Sequence, residues 1–258
     1  MDILILGCGY TGRRVAERFI ATGAHVTVTT RHPQKLAGLN AEIIALEDVP
    51  AHLRPGALVL HSIPADGPSN VLDLLGSRPA RVVYLSTTGV YGTASLVDEN
   101  TPVDTGTDRA RARIEIEQAI SAGPWSSLVL RPAAIYGPGR GIHESIQRGV
   151  YSLSDTYVSR IHVDDLAAHA EAALLSIVTG AYPVADEDPC TSREMAEFCA
   201  SLLHLQLRQS AGAEEPKSRF ASNRRVDGSA IRRLLGITLK YPSYRTGVPA
   251  SLNDGCIM

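Results

Sequence analysis

The sequence predicts a doubly wound α/β fold, a parallel sheet flanked by helices, with a smaller lobe supplied by the second half of the chain. Three observations carry that expectation. Short β-branched apolar runs recur through the first half, with helical stretches between them. The first run opens directly into a glycine-rich turn and an amphipathic helix. The regular rhythm then stops near Tyr136, where a loop-forming segment begins. Strands buried on both faces, as in a parallel sheet, read as continuous apolar runs rather than alternating ones.

Six runs read as strands: residues 3–6, 25–29, 43–46, 57–60, 82–85 and 128–130. Each is short and rich in residues that fit a buried pleated surface. Residues 13–21 read as the helix between the first two. Residues 137–141, Gly-Pro-Gly-Arg-Gly, form a loop by composition, and helical spacing returns at 164–178 and 192–203. Residues 210–222 are polar and charged without a clear period. The expected division is a sheet-bearing core from 1–135 and 162–180, and a smaller lobe from 136–161 and 181–258.

Composition narrows the function classes. A chain of 258 residues can bury a substantial core without staples. Its 44% hydrophobic and 20% charged residues are those of a soluble globular protein. A net charge of −2 gives no electrostatic case for nucleic acid or an anionic membrane. Cys8, Cys190, Cys199 and Cys256 form no Cys-x-x-Cys pair, so no metal site is expected and reduced thiols are the simpler reading. The first apolar run is too short for a signal peptide, and no stretch approaches about 20 apolar residues. A cytoplasmic protein is expected.

Gly7-Cys8-Gly9-Tyr10-Thr11-Gly12 follows the first strand and opens the first helix. In that context the glycines have separate tasks. Gly7 permits the tight turn, Gly9 lacks a side chain that would block a diphosphate, and Gly12 lets helix and strand pack closely. Free N–H groups and the positive end of the helix dipole then meet the anion. The pattern points to a dinucleotide, NAD or NADP. Where NAD-preferring proteins place a carboxylate at the end of the second strand, this chain has Thr29, Thr30 and Arg31, with Lys35 nearby. No carboxylate there repels a 2′-phosphate, and Arg31 can fork onto one, so NADP is favoured over NAD. The competing reading makes Arg31 a solvated loop residue.

Three further segments resemble one family, the extended short-chain dehydrogenase/reductases of the NAD(P)-dependent epimerase/dehydratase group. They are Leu85-Ser86-Thr87-Thr88-Gly89-Val90-Tyr91-Gly92, the stretch from Leu130-Arg131-Pro132 to Gly139-Arg140, and Ile161-His162-Val163-Asp164-Asp165-Leu166. With the glycine loop they span roughly the first two thirds of the chain in the family's order. The last third, including Asn223-Arg224-Arg225-Val226 and Tyr241-Pro242-Ser243-Tyr244, looks like divergent members with short C-terminal lobes. The resemblance implies that Ser62, Ile63, Pro64 and Thr87 line the cofactor crevice, and that Thr87 also hydrogen-bonds the substrate oxygen at the reacting carbon. It implies that Pro132 and Ala133 meet the nicotinamide and that the smaller lobe binds substrate. His162 and Asp164 belong to a signature at the lobe junction; Asp164 is equally well read as the cap of the helix it begins. Dimerisation through helices flanking the sheet is a further implication.

One part of the family pattern is missing. Its proton carrier is a Tyr four residues before a Lys on one helix, the Lys lowering the phenol's pKa. No Tyr-x-x-x-Lys occurs here; the family's helix brings Arg109 to the Tyr position and Arg113 to the Lys position. Arg113 can donate to a ribose hydroxyl. A guanidinium stays protonated, so Arg109 cannot be a general base, though it can hold an anionic substrate group. The plainer reading of the helix is a solvated face with Arg111–Glu115 and Arg113–Glu117 pairs. Tyr91 and Tyr10 are the candidate substitute proton donors, each also readable as a packing residue. Two functions follow: an NADP-dependent oxidoreductase, epimerase or dehydratase on a small polar, sugar-nucleotide-like or hydroxylated substrate, or a non-catalytic NADP sensor.

Overall fold

The computed structural model describes residues 1–65, 67, 71–151, 153–207 and 223–254. The polar stretch 210–222 and Cys256 therefore lie outside the described residues. Seven parallel strands form the main sheet: β1 (Asp2–Leu6), β2 (His25–Thr29), β3 (Glu42–Ile44), β4 (Leu58–His61), β5 (Arg81–Leu85), β6 (Ser126–Pro132) and β7 (Gly180–Val184). Their order is β7-β6-β5-β4-β1-β2-β3. In register, Ile3 of β1 stands beside Val26 of β2 and Leu58 of β4. The strand order reverses between β1 and β4, which opens a crevice at their carboxyl ends.

Successive side chains of a strand point to opposite faces, and both faces of this sheet are covered. On one side Ile3, Ile5, Val28 and Leu60 join Val15, Ala16 and Phe19 of α1 (Tyr10–Ala21). The same cluster takes in Leu166, Ala170 and Leu174 of the helix Val163–Leu175. On the other, Leu4, Leu6, Val59, Val82 and Tyr84 pack on Val49, Leu53, Leu75 and Ile120. Each such fully buried aliphatic side chain contributes about 1.5–3 kcal/mol.

The helical layer is thinner than the sequence suggests. Among the described residues between β2 and β5, the crossovers hold only turns of 3-10 helix, Pro33–Leu36, Leu46–Asp48 and Asp73–Leu75, and the α turn Val49–His52. Prolines and left-handed glycines, Gly38, Gly56 and Gly76, punctuate those connections. The third strand accordingly stops at Ile44, and Leu46 begins a turn. The sequence reading passed over β7, because Pro183 weakens a strand signal. As an edge strand with β6 as its sole neighbour, β7 tolerates that missing N–H.

Six further helices follow among the described residues: α2 (Asp108–Ser121), α3 (Ile142–Gln147), α4 (Val163–Leu175), α5 (Ser192–Leu202), α6 (Ser229–Leu235) and α7 (Tyr244–Asp254). The C-terminal lobe has its own small core of Tyr136, Ile146, Met195, Cys199, Tyr244 and Val248. Its α5 begins with a reciprocal capping box between Thr191 and Glu194. Among the contacts that bind lobe to core, the Asp165 carboxylate of α4 accepts the backbone N–H groups of Lys240 (2.7 Å) and Tyr241 (2.9 Å). The short strand Arg225–Val226 pairs with Leu96–Val97 from the segment after β5. Among the described residues no helix is long and apolar enough to cross a membrane. Nor is any group of three or more His, Cys, Asp or Glu side chains among them placed to hold a metal ion.

Candidate cofactor and active site

The loop between β1 and α1 is held from two sides. Gly7 sits at φ +81°, a left-handed conformation, and a β-carbon there would come within 2.8 Å of Ile63. Its N–H donates to the Thr29 hydroxyl (3.1 Å), while the Cys8 N–H donates to the Thr29 carbonyl (2.7 Å). From the β4 side, the Ser62 hydroxyl reaches the carbonyls of Leu6 (3.1 Å) and Gly7 (2.7 Å). Thr29 thus seats the loop from the position where a ribose-binding carboxylate was looked for.

The loop leaves one side open. A β-carbon on Gly9 would meet nothing closer than the Gly7 carbonyl at 3.9 Å, and Gly9 itself is exposed. At Gly12 a β-carbon would press on Ile5 at 3.1 Å, which is the close helix–strand contact. No side chain caps the start of α1, and its first turn carries no carboxylate. The head of a 12-residue helix therefore presents N–H groups toward open space. Those features fit a bound diphosphate. Arg31 is exposed just past β2 and makes no hydrogen bond or ion pair among the described residues. Pro64 is exposed beyond Ile63, while Pro132 and Ala133, at the end of β6, are buried.

Thr87 follows β5 and caps the 3-10 turn Thr88–Tyr91, its hydroxyl oxygen accepting the Gly89 N–H at 3.1 Å. The hydroxyl proton has no acceptor among the described residues. Behind the turn lies a buried ionic network. Arg131 of β6 grips the Glu117 carboxylate of α2 with Nη2 at 2.6 Å and Nε at 3.2 Å from both oxygens. The same carboxylate accepts the Ser86 hydroxyl, and Arg131 also donates to the Tyr91 oxygen at 3.2 Å.

The comparisons with known proteins can be set on this geometry. The sequence matches the NAD dependent epimerase/dehydratase family over residues 42–179, more than half of the chain. The chain belongs to that family. Among solved structures, a functionally unknown conserved protein from Silicibacter pomeroyi is 29% identical with a TM-score of 0.83, 98% of each chain being covered. A putative NAD-dependent epimerase/dehydratase from Methylobacillus flagellatus is 28% identical, TM-score 0.79, again with 98% of each chain covered. The UDP-glucose 4-epimerase of Thermotoga maritima, solved with UDP-glucose, shares the fold at 18% identity, TM-score 0.80 and 98% coverage of both chains. A Streptomyces 3-diazoavenalumate denitrifying reductase is 26% identical over 155 residues, 54% of this chain. The chain spans about half the length of that curated relative, 51%.

Within this family member, the helix expected to carry the Tyr–Lys pair has a different use. Arg109 stands exposed in its first turn. Arg113 is half-buried and donates to the Tyr84 hydroxyl at 2.9 Å, with its Nε buried and unpartnered. Tyr84 in turn packs edge-on against His61 at 4.9 Å, and burial holds that imidazole neutral, its pKa near 4. The expected Arg111–Glu115 and Arg113–Glu117 pairs are replaced. Arg111 pairs with Asp108 at 2.9 Å, and Glu117 turns inward to Arg131. The inward turn has a sequence signal: Glu117 falls on the same helical spacing as buried Ala110 and Ile114. A carboxylate on an inner face needs a buried cation, and Arg131 is the one supplied.

Burial raises the pKa of both candidate phenols. Tyr91 is 1% exposed, and burial raises its pKa despite the hydrogen bond from Arg131. That placement is the packing role. Tyr10 donates to the Pro138 carbonyl at 3.0 Å, closing the glycine loop against residues 137–141, and burial pushes its pKa up to about 12. The helix cap is also corrected. His162, not Asp164, caps α4, its Nδ1 accepting the Asp164 N–H at 3.2 Å. Asp164 sits in the first turn and pairs with Arg14 of α1 at 3.0 Å. Sequence reasoning missed three functional placements: Thr29 as the seat of the loop, the Glu117–Arg131 pair, and Arg224, whose buried guanidinium binds backbone near Thr87.

Proposed function

We propose that the chain binds NADP in the crevice between β1 and β4 and acts as an oxidoreductase, epimerase or dehydratase on a small polar, sugar-nucleotide-like or hydroxylated substrate. The observation that carries this reading is the uncapped head of α1, with an open face at Gly9 and a loop pinned by Thr29 and Ser62. The N–H groups of the first turn would hold the diphosphate. Arg31 would bind the 2′-phosphate as a charge-assisted fork. Ile63 and Pro64 would border the crevice, with Pro132 and Ala133 beyond it. When bound, the nicotinamide supplies or accepts a hydride.

The chain's own part is orientation. With one lone pair occupied by the Gly89 N–H, the Thr87 hydroxyl has its proton to offer a substrate oxygen. Arg109, exposed at the head of α2, suits an anionic group on the substrate better than any proton transfer. Arg113 brings positive charge toward the same end of the sheet. The decisive experiment follows NADPH absorbance with a panel of hydroxylated and sugar-nucleotide carbonyl compounds. NADPH consumption above a Thr87→Ala control supports an oxidoreductase. An epimerase or dehydratase returns the hydride and is read as conversion of the compound itself by chromatography, and binding with neither change across the panel rejects the enzyme.

A second reading, a non-catalytic NADP sensor, is favoured by one observation. Burial raises the pKa of Tyr10 and Tyr91 alike, and Arg109 and Arg113 stand where the family's Tyr and Lys would be. On that reading Arg109→Tyr combined with Arg113→Lys gains no activity on a model carbonyl.

A further inference from the structure

We propose that Arg224 is a positioning residue for Thr87, holding the turn after β5 in place from the C-terminal lobe. The inference rests on the reading of Thr87 as the group that meets the cofactor and substrate. Arg224 is buried, and its guanidinium donates to the carbonyls of Thr88 and Gly92 and, at 3.1 Å, of Ala94. Three carbonyls of one short segment thus converge on a single side chain at least 130 residues later in the chain.

The opposite flank of Thr87 is anchored independently. Ser86, on the strand side of Thr87, is bound to Glu117 of α2, which Arg131 of β6 holds in turn. Thr87 therefore lies between a neighbour fixed by α2 and β6 and a neighbour fixed by the lobe. The clamp is specific in kind. No carboxylate pairs with Arg224 among the described residues, so its charge is met by carbonyl dipoles. Burying a cation that way is a poor route to stability alone. It is a good route to one geometry, because a planar fork accepts only one arrangement of acceptors. Arg224, just before the short strand Arg225–Val226, is itself set by its neighbours. The Arg224 N–H donates to the Tyr157 carbonyl (2.9 Å), and the Val226 N–H to the Ser159 hydroxyl (2.8 Å).

The test measures binding rather than turnover, by calorimetry with two probes: NADPH, and adenosine 2′,5′-bisphosphate, which carries the adenine half alone. Arg224→Gln should leave the fragment's affinity within about twofold and weaken NADPH about tenfold, with Arg224→Lys recovering part of the loss. Thr87→Ala should cost a similar factor, and the double variant no more than either single one, because two residues acting through one contact are not additive. Additive losses, or equal losses on both probes, overturn the inference and make Arg224 a general brace. NADPH binding insensitive to Arg224→Gln overturns it as well, with the cofactor reading intact. Failure of the unaltered protein to bind either probe would remove the cofactor reading and this inference together. If the Gln variant does not fold, the Lys variant carries the same comparison between probes.

Discussion

At the head of α1 the chain exposes backbone and withholds side chains; behind Thr87 it does the reverse. Around Gly9 there is open space, an uncapped helix start and a loop pinned from behind by Thr29 and Ser62. Around the turn after β5, buried charges fill the space. Glu117 and Arg131 lie beneath it, and Arg224 closes on it from the lobe. The difference shows two ways of shaping a surface: donors left unsatisfied at a helix head, and a turn whose neighbours over-determine it. The first arrangement tolerates substitution except where a side chain would fill the cradle. The second fails as a unit.

Four measurements would break or sharpen that contrast. The largest effect belongs to the closed region. Glu117→Ala leaves Arg131 buried without its partner, and denaturant unfolding should show a loss of about 3–5 kcal/mol; a loss under 1 kcal/mol would mean the network is solvated. At the open region, Gly9→Val should weaken dinucleotide binding at least a hundredfold, about 2.7 kcal/mol, with little change in melting temperature. Gly7→Ala should instead destabilise the fold, because φ is positive and Ile63 is in the way.

The third measurement concerns Asp186, which follows β7. It is 3% exposed, no ion pair reaches its carboxylate among the described residues, and burial pushes its pKa up to about 8 against the lowering effect of the Asp188 N–H. The folded state then keeps a proton that the unfolded chain releases near pH 4. Stability should therefore fall as pH rises from about 4 to 8 and level off above that. Asp186→Asn should flatten this slope and be the more stable protein at pH 8, read from unfolding curves across the range; parallel curves would place Asp186 in contact with water. The smallest effect is at Arg31. Replacing it with Ala should cut the preference for NADPH over NADH about tenfold without touching stability, and an unchanged ratio would remove Arg31 from the site.

How much was legible follows the same division. The glycine loop could be read because its requirements are backbone requirements, and glycine spacing reports them directly. The strands could be read because burial on both faces leaves uniform apolar runs. The crossovers between β2 and β5 were overestimated, since an apolar sheet face demands a cover without specifying a helix. β7 was missed because Pro183 contradicts a strand signal everywhere except at an edge. In α2 the i, i+4 charges suggested surface pairs, and spatial neighbours outcompeted them for Glu117 and Arg113.

By itself the sequence determined the parallel sheet, the diphosphate-shaped loop and the lack of a Tyr–Lys pair on one helix. Each of these is local, set by neighbours within a few residues along the chain. Only the tertiary structure decided that Tyr91 packs, that Glu117 faces inward, and that Arg224 reaches back to the turn holding Thr87. Those outcomes depend on which distant groups meet once the sheet closes, and a buried charge takes the partner that the fold brings to it.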